Sequence, residues 1–375
     1  MRNRGPTVIL LRAFGAALVA VLALPVAAQP VFTIGSGDRL GLIDREGKII
    51  LPPEFSEVKP GQPLILATKG YKTAFFDYSG RMVIEPQSEI TQPFVDGVAP
   101  RRMSAGEGKS KYGYVDASGK TAIAPVYDHV EGFVDGRAVV GIADAWGVVK
   151  YGAIDRNGKL VVPATYDKVF APSGGVVRAQ MKDRPHRLFD RSGRDITPAG
   201  IDFVGIQAEG MVRVWQGRQQ GFMTTSGELA IAPRFEGANE FREGLARVRI
   251  AGKYGYIDKR GTQVIEARFD TAEDFSDGLA LAKEGGKSVF VDKQGKVVLQ
   301  PQADRVYPFT EGLAVAKVGP KYGYIDKRGK FVIEPQFSFA RAFHNGLAGV
   351  SMGRASGYIR PDGQFVWRDD GAPRN

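Results

Sequence analysis

The sequence predicts an all-β protein, a tandem array of about ten three- to four-stranded antiparallel units. The nonapeptide Lys-Tyr-Gly-Tyr-Ile-Asp-Lys-Arg-Gly occurs at residues 253–261 and again at residues 321–329, an offset of 321 − 253 = 68 residues, or twice 34. A looser marker, Asp-x-x-Gly, recurs along the whole chain. Between markers lie short runs with a period near two, which is typical of strands rather than helices. Each unit of such an array packs only against its neighbours, so chain length does not set a domain count.

The marker glycine fixes the unit boundaries. The last five spacings between successive marker glycines are all 34 residues, and the earlier ones range from 33 to 39. Tight hairpins favour Asp at the turn entry and Gly where φ is positive, so we interpret the marker as turn chemistry rather than as repeated catalytic carboxylates. The marker glycines are Gly47, Gly80, Gly119, Gly158, Gly193, Gly227, Gly261, Gly295, Gly329 and Gly363.

Each unit holds three strand-like runs and a fourth segment. In the ninth unit the runs are residues 312–318, 322–326 and 330–334. The fourth segment, either a short strand or a tight helical turn, carries two aromatic residues six positions apart. Their size predicts that they fill the core between adjacent units. Examples are the pairs Phe235/Phe241, Phe269/Phe275 and Tyr127/Phe133.

The arrangement of the units favours an open β-solenoid, or superhelix. Most propellers have about 4–8 blades, and ten units exceed that number. The array also begins with a first run at residues 31–34 and ends with a third run at residues 364–367, so no strand is held back to close a ring. The alternative is one large propeller or two five-unit propellers.

The N-terminal residues have the three-part pattern of a secretory signal peptide. Arg2, Arg4 and Arg12 precede or border the uncharged apolar run of residues 13–24, and small residues lead to Ala28. An apolar run of about 12 residues is too short to span a bilayer comfortably. We therefore predict a signal peptide at residues 1–28, a repeat array at 29–368 and a tail at 369–375. The protein is expected to be periplasmic or secreted after cleavage near Ala28, with no transmembrane segment in the mature chain.

The cysteine content and the net charge limit the kinds of catalysis and of binding partner that we expect. The chain has no cysteine, which excludes disulfides and thiolate catalysis. The formal charge is +10, and removal of three signal-peptide arginines leaves about 10 − 3 = +7. This excess favours an anionic partner such as an acidic envelope polymer or a lipid headgroup. Nucleic acid is not an expected partner outside the cytoplasm.

One constellation of residues predicts a binding surface. Basic residues recur in the first runs at the 34-residue spacing, beside one tryptophan that could stack on a sugar or base, and stacked units would align them into a positive row. The alternative is that these are solvated edge-strand cations, which discourage aggregation. The candidate residues are Arg213, Arg247, Arg249, Lys283, Lys317 and Trp215.

The units resemble WG repeats, whose pattern runs Gly-Lys-Trp/Tyr-Gly-Tyr-Ile-Asp-Lys-x-Gly-Lys, then Val-Ile-x-Pro, and ends in Phe-x-x-Gly-Leu-Ala. Residues 253–282 and 321–348 match almost throughout, and residues 111–116 and 151–155 match well. Tyrosine replaces the tryptophan of the name at the clear positions. The resemblance implies a β-rich interaction array, with no catalytic residues to transfer.

No catalytic or metal-binding set stands out. His129, His186 and His344 share no metal-ligand spacing, and no cofactor motif is found in a suitable context. We expect a non-enzymatic exported scaffold that binds a protein or an envelope polymer at the cell envelope. One alternative is a surface protein that binds anionic polysaccharide or lipid headgroups. Another is an enzyme with its site in the degenerate units five and six, near His186 or Asp190.

Overall fold

The computed structural model describes residues 30–87, 89–90, 92–106 and 108–370. Their regular structure is entirely β-strand, in ten small antiparallel sheets that follow one another along the chain. We number these sheets blades 1 to 10. The described part of the chain contains no apolar helix of membrane-spanning length. The predicted signal peptide and residues 371–375 of the predicted tail lie outside the described residues.

The first five blades contain 17 strands. Blade 1 contains β1 (Phe32–Ser36), β2 (Arg39–Ile43) and β3 (Ile49–Phe55); blade 2 contains β4 (Glu57–Lys59), β5 (Ile65–Lys69), β6 (Lys72–Phe76) and β7 (Met82–Gln87); blade 3 contains β8 (Val98–Ser104), β9 (Ser110–Asp116) and β10 (Thr121–Tyr127); blade 4 contains β11 (His129–Val130), β12 (Arg137–Ala143), β13 (Val149–Asp155) and β14 (Leu160–Tyr166); blade 5 contains β15 (Lys168–Val169), β16 (Val177–Gln180) and β17 (Arg187–Phe189).

The last five blades all have four strands. Blade 6 contains β18 (Phe203–Ala208), β19 (Met211–Gln216), β20 (Gln219–Thr224) and β21 (Ile231–Phe235); blade 7 contains β22 (Gly237–Ala238), β23 (Ala246–Ile250), β24 (Lys253–Ile257) and β25 (Gln263–Phe269); blade 8 contains β26 (Thr271–Ala272), β27 (Ala280–Glu284), β28 (Lys287–Val291) and β29 (Val297–Leu299); blade 9 contains β30 (Arg305–Val306), β31 (Ala314–Val318), β32 (Lys321–Ile325) and β33 (Phe331–Phe337); blade 10 contains β34 (Phe339–Ala340), β35 (Ala348–Met352), β36 (Ala355–Ile359) and β37 (Phe365–Asp369).

A complete blade consists of a short first strand followed by the three runs predicted from the sequence. The fourth segment of a sequence unit, whose conformation the sequence left open, supplies the first strand of the next blade wherever that blade has four strands, and also in blade 5. A single residue separates the third run of blade 9 from the short strand of blade 10, since β33 ends at Phe337 and β34 begins at Phe339. The sheets are therefore successive in the chain and adjacent in space.

The Asp of the marker caps its hairpin turn, as predicted. Asp326 Oδ1 accepts hydrogen bonds from the backbone N–H groups of Arg328 and Lys330, at 2.9 and 3.0 Å. The bond from Lys330 is the main reason that the pKa of Asp326 lies below its ordinary value. In blade 6 the hydroxyl of Thr224 takes the place of the carboxylate and accepts from Glu228 N.

The interfaces between consecutive blades, which we call seams, contain the hydrophobic core. Seam 7/8 shows the pattern: Phe269 and Tyr256 of blade 7 pack against Phe275 and Ala282 of blade 8. The aromatic pairs six residues apart thus lie in the seams, which confirms their predicted role. The described residues form ten such core clusters, one for every pair of consecutive blades including blades 10 and 1.

The tenth cluster closes the array into a ring. Phe32 and Ile34 of blade 1 pack with Leu347 of blade 10, and the Phe32 and Tyr358 rings lie 5.4 Å apart. A Cβ on Gly47 of blade 1 would lie 2.3 Å from the carbonyl oxygen of Val366. Gly80 makes the same approach to the carbonyl of Ile50 in its preceding blade, so blade 10 stands in the preceding position for blade 1.

The favoured open solenoid is therefore wrong, and the alternative of one large propeller fits, with ten blades. The ring needs no strand exchanged between its first and last blades, because it closes by packing the face of one complete sheet on the face of another. Two five-bladed rings are also excluded, since they would join blade 5 to blade 1. Blade 5 instead packs against blade 6.

A polar ladder reinforces the seams at one end of the blades. The turn after the short strand places an acidic residue and a glycine at positive φ, as Glu243 and Gly244 do in blade 7. Glu209 of blade 6 accepts a hydrogen bond from Gly244 N at 3.0 Å, and Lys259 Nζ lies 3.4 Å from the same carboxylate. This ladder was not predicted from the sequence.

Candidate binding site at the seam between blades 5 and 6

A column of three arginines faces three successive seams. Arg178, Arg213 and Arg247 each lie three residues after the turn glycine, in the first runs of blades 5, 6 and 7. Arg178 Nη1 donates a hydrogen bond to the carbonyl of Val204 at 2.9 Å, and Arg213 donates to the equivalent carbonyl of Ala238. The register of the blades thus directs these two guanidinium groups onto the first strand of the next blade.

Two members of the column have a carboxylate partner and one does not. Arg213 Nη2 lies 3.0 Å from Glu240, and Arg247 Nε lies 3.6 Å from Asp274. Glu240 and Asp274 occupy the same position, three residues before the acid of the turn. In blade 6 that position is Ile206, whose side chain is 59% exposed.

Arg178 forms no ion pair with any residue that the structure describes. Burial lowers the pKa of its guanidinium, which reflects the free energy needed to hold the charge away from water. A half-buried cation of this kind is stabilised mainly by its carbonyl acceptor and by aromatic rings.

Aromatic side chains surround Arg178. Its Cζ lies 3.7 Å from the centroid of the Phe170 ring and 5.6 Å from that of Phe203. Phe203 in turn meets Trp215 edge to face at 4.8 Å, and Arg213 lies 4.6 Å over the Trp215 ring. Phe203 is 38% exposed, so the cluster reaches the surface. Cations and rings in this arrangement attract each other and leave apolar faces open to a ligand.

His186 lies beneath this cluster and is only 4% exposed. Its ring centroid is 4.1 Å from that of Phe203 and 5.8 Å from that of Phe170. Burial lowers its pKa, and the positive charge of Arg178 lowers it further, so the imidazole is neutral near pH 7. Nδ1 is buried with no hydrogen-bond partner among the described residues.

Seam 5/6 has a different core from its neighbours. Among the described residues its buried cluster contains no aromatic side chain, whereas each of the other nine contains at least one. The position of Phe241 and Phe275 in later blades is Gln207 in blade 6. The Gln207 amide lies against the turn of blade 5, since a Cβ on Gly174 would meet its oxygen at 2.1 Å. The aromatic rings of this seam therefore lie at its edge rather than in its core.

The structure brings together only some of the residues predicted from the sequence. Arg213 and Trp215 lie in the cluster described above. Arg247 and Arg249 flank the ring of Tyr254, with Cζ atoms 5.6 and 5.9 Å from its centroid. Arg249 is half exposed and lies 3.8 Å from Glu236.

The two predicted lysines are on later blades. Lys283 is exposed in blade 8, and Lys317 Nζ of blade 9 lies 5.6 Å from the Tyr322 ring. The cations are thus distributed over successive seams, with acidic residues of the chain beside Arg213, Arg247 and Arg249. They do not form one uninterrupted row.

Arg178, Phe170 and Phe203 are not among the residues predicted from the sequence. Arg178 lies 35 residues before Arg213, because unit five departs from the 34-residue period, and a search at fixed spacing misses it. Counting from the turn glycine instead would have found it, since Arg178 follows Gly175 as Arg213 follows Gly210.

Asp190, the other residue of unit five named as a possible catalytic residue, has a structural role. Both oxygens of Asp190 are used within its own turn, where Oδ1 accepts from Ser192 N at 2.8 Å and Oδ2 from Arg194 Nε at 3.1 Å. The described residues contain no group of three or more His, Asp or Glu side chains placed to hold a metal ion.

Two clefts lie between other blades. One of about 480 Å³ separates blades 1 and 2 and is lined mainly by apolar residues such as Leu51, Phe55 and Phe76. A smaller one of about 350 Å³ lies between blades 2 and 3, beside Arg101. Neither contains a residue predicted from the sequence to bind a ligand.

The repeats match a family model described as the WG containing repeat. The matched residues, which make up more than half of the chain, are 41–60, 112–146, 151–184, 221–254, 254–287, 290–322 and 322–354. The chain belongs to the WG-containing repeat family. This confirms the resemblance of the Tyr-Gly-Tyr hairpins to WG repeats. The WG match at 151–184 contains Phe170 and Arg178, and the next match begins at residue 221, after Phe203 and Trp215. Comparison with curated proteins finds no match.

Several solved structures resemble this WG-repeat ring at low similarity. BamB from Moraxella catarrhalis is 11% identical, with 82% of this chain and 94% of that chain covered at a TM-score of 0.33. The computationally designed Ika8 protein is 12% identical, with 73% and 93% covered at 0.32. AztD from Citrobacter koseri is 14% identical, with 72% and 93% covered at 0.28. TM-scores this low carry no argument about function.

Proposed function

We propose that this WG-repeat propeller is an exported, non-enzymatic binding scaffold of the cell envelope, and that an acidic polysaccharide binds it at the seam between blades 5 and 6. The observation that carries the proposal is Arg178. It is the one arginine of the column without a carboxylate from the next blade. An anionic ligand supplies the charge that Glu240 and Asp274 supply elsewhere.

A polymer suits the site better than a small anion, because cations continue beyond it. Arg213 and Trp215 of blade 6 border the site, and Arg249, Lys283 and Lys317 lie on the three blades after that. A chain of acidic sugars that crosses successive seams contacts these residues in turn. The net charge of about 10 − 3 = +7 expected for the mature chain attracts such a ligand over a longer range.

A scaffold is proposed rather than an enzyme because the side chains of the degenerate units have other roles. Asp190 is occupied in its turn, and His186 packs between two phenylalanine rings. Export is proposed from the predicted signal peptide at residues 1–28.

Binding to an acidic polysaccharide as a function of salt tests this proposal. The mature protein is titrated with polygalacturonate and with neutral dextran at 20 to 500 mM NaCl. We expect binding to polygalacturonate alone, with affinity that falls as salt rises, because the contacts are ionic. No binding to polygalacturonate, or binding insensitive to salt, would overturn the proposal.

Two variants locate the contact. Arg178→Met keeps the aliphatic stem and removes the charge, and Arg354→Met removes the same charge from an exposed turn of blade 10. We expect the first to weaken binding strongly and the second to change it little. The triple variant R249A/K283A/K317A is expected to weaken binding and to flatten its salt dependence. An unchanged affinity would show that these three residues are not part of the binding surface.

A further inference from the structure

We propose that the group held at Arg178 is the carboxylate of a sugar acid, with the sugar ring stacked on Phe203 and Trp215. This inference rests on the proposed function, and it names the ligand class. The protein itself displays the arrangement twice, because Arg213 meets Glu240 and Arg247 meets Asp274 at the equivalent place in the next two seams. In both cases the anion is a carboxylate.

The missing carboxylate has a defined location. Ile206 stands where Glu240 and Asp274 stand in the next two blades, and it is one of the most exposed large apolar side chains of the described residues. Ile206 supplies no counter-charge for Arg178, and its own apolar side chain remains largely in solvent. A ligand with a carboxylate next to an apolar surface complements both at once.

The donors at the site fit a planar carboxylate. One arm of the Arg178 guanidinium already donates to Val204 O, which leaves its remaining N–H groups for two carboxylate oxygens in the usual forked geometry. His186 contributes a neutral ring whose Nδ1 has no partner among the described residues.

The aromatic surfaces fit a sugar. Phe203 and Trp215 meet edge to face, so their exposed parts form a corner rather than a flat shelf. Gly205 permits this corner, because a Cβ there would lie 3.0 Å from the Trp215 ring. The C–H face of a pyranose packs on such rings, while its hydroxyl groups remain in water.

The test compares two probes that differ only in the carboxylate. Oligogalacturonate and its methyl ester are titrated calorimetrically into the full mature protein. We expect the acid form to bind about tenfold or more tightly than the ester, the scale on which loss of a charge-assisted pair changes a dissociation constant. Equal affinity for the two probes would overturn the inference.

The variant Ile206→Glu supplies the missing carboxylate from the protein itself. Its glutamate occupies the place of Glu240 and pairs with Arg178, so we expect oligogalacturonate binding to fall about tenfold or more. Ile206→Gln has the same shape without the charge and should bind nearly as wild type does. Gln216→Glu adds the same charge next to Trp215 and controls for general repulsion, so its effect should be smaller.

The outcomes separate this inference from the proposed function. Salt-dependent binding of polygalacturonate that neither Ile206→Glu nor Arg178→Met affects would sink the inference and leave the function standing. Absence of binding to every acidic polymer would end both. Loss of binding in Ile206→Glu with an unchanged circular-dichroism spectrum, and its retention in Ile206→Gln, would support the inference.

Discussion

The hydroxyl of Tyr358 in the last blade donates a hydrogen bond of 2.8 Å to the backbone carbonyl of Thr33 in the first. The equivalent tyrosines Tyr256 and Tyr324 donate to Glu273 O and Arg341 O in the blades that follow them. These two acceptors directly follow the short strands β26 and β34. Blade 1 has no such strand, so its first run supplies the acceptor instead. The closing seam therefore uses the same contact as the internal ones.

The buried tyrosine hydroxyls are expected to stabilise the seams. Tyr256→Phe removes the donor to Glu273 O and leaves that carbonyl without this partner, which should lower the free energy of unfolding by about 0.5–1.5 kcal/mol. The ring itself should be accommodated, because Phe222 and Phe290 occupy the equivalent position in adjacent blades. Urea denaturation checks this, and an unchanged midpoint would show that the hydroxyl contributes nothing.

The marker glycine is expected to matter for more than its own turn. Gly80→Ala places a Cβ 2.3 Å from the carbonyl oxygen of Ile50 in the preceding blade. Gly252 has a similar φ of 78° and no heavy atom within 4 Å of such a Cβ, so Gly252→Ala reports the cost of positive φ alone, about 1–2 kcal/mol. We expect a clearly larger loss at Gly80, measured by thermal unfolding. Equal losses would mean that the close approach to blade 1 has no energetic consequence.

Stability is expected to fall in mild acid because of His186. Its pKa is lowered, mainly by burial, so the folded state binds fewer protons than the unfolded state. Protonation then favours unfolding as the pH drops below the ordinary histidine value of about 6.5. The urea midpoint of the wild type should decrease between pH 7.5 and 5.5, and that of His186→Gln should decrease less. Identical pH profiles would contradict a buried neutral imidazole.

The acidic partners of the arginine column are expected to contribute unequally. Glu240→Gln leaves the half-buried Arg213 without its carboxylate and should cost about 1–3 kcal/mol. Glu236→Gln affects an exposed pair at 3.8 Å with Arg249 and should cost at most about 1 kcal/mol. Urea midpoints of the two variants decide this. A smaller loss in Glu240→Gln than in Glu236→Gln would show that the seam does not depend on the pair.

The repeat explains why so much of each blade was predictable and the ring was not. Asp326 and Gly329 specify a hairpin through local chemistry, and Phe269 with Phe275 marks a shared core. Closure depends on whether Phe32 meets Leu347, a contact between the two ends of the array. The small rotation of each blade relative to the previous one decides whether these ends meet, and no local sequence pattern encodes that rotation.

The candidate site was partly predictable for the same reason. Arg213 could be selected because an arginine recurs one period later at Arg247, and Trp215 because it lies beside these basic residues. Arg178 departs from that period by one residue, and its significance depends on Ile206 in the next blade, which no spacing within one unit shows.

Distances between spin labels test the closed ring most directly. Because the chain has no cysteine, labels can be placed at Thr33→Cys in blade 1 with Ser356→Cys in blade 10, or with Arg218→Cys in blade 6. Packed sheets lie about 10 Å apart, so an open stack would separate blades 1 and 10 by about 90 Å and blades 1 and 6 by about 50 Å. The ring predicts the opposite order, with the Thr33–Ser356 distance the shorter of the two. A Thr33–Ser356 distance longer than Thr33–Arg218 would contradict it.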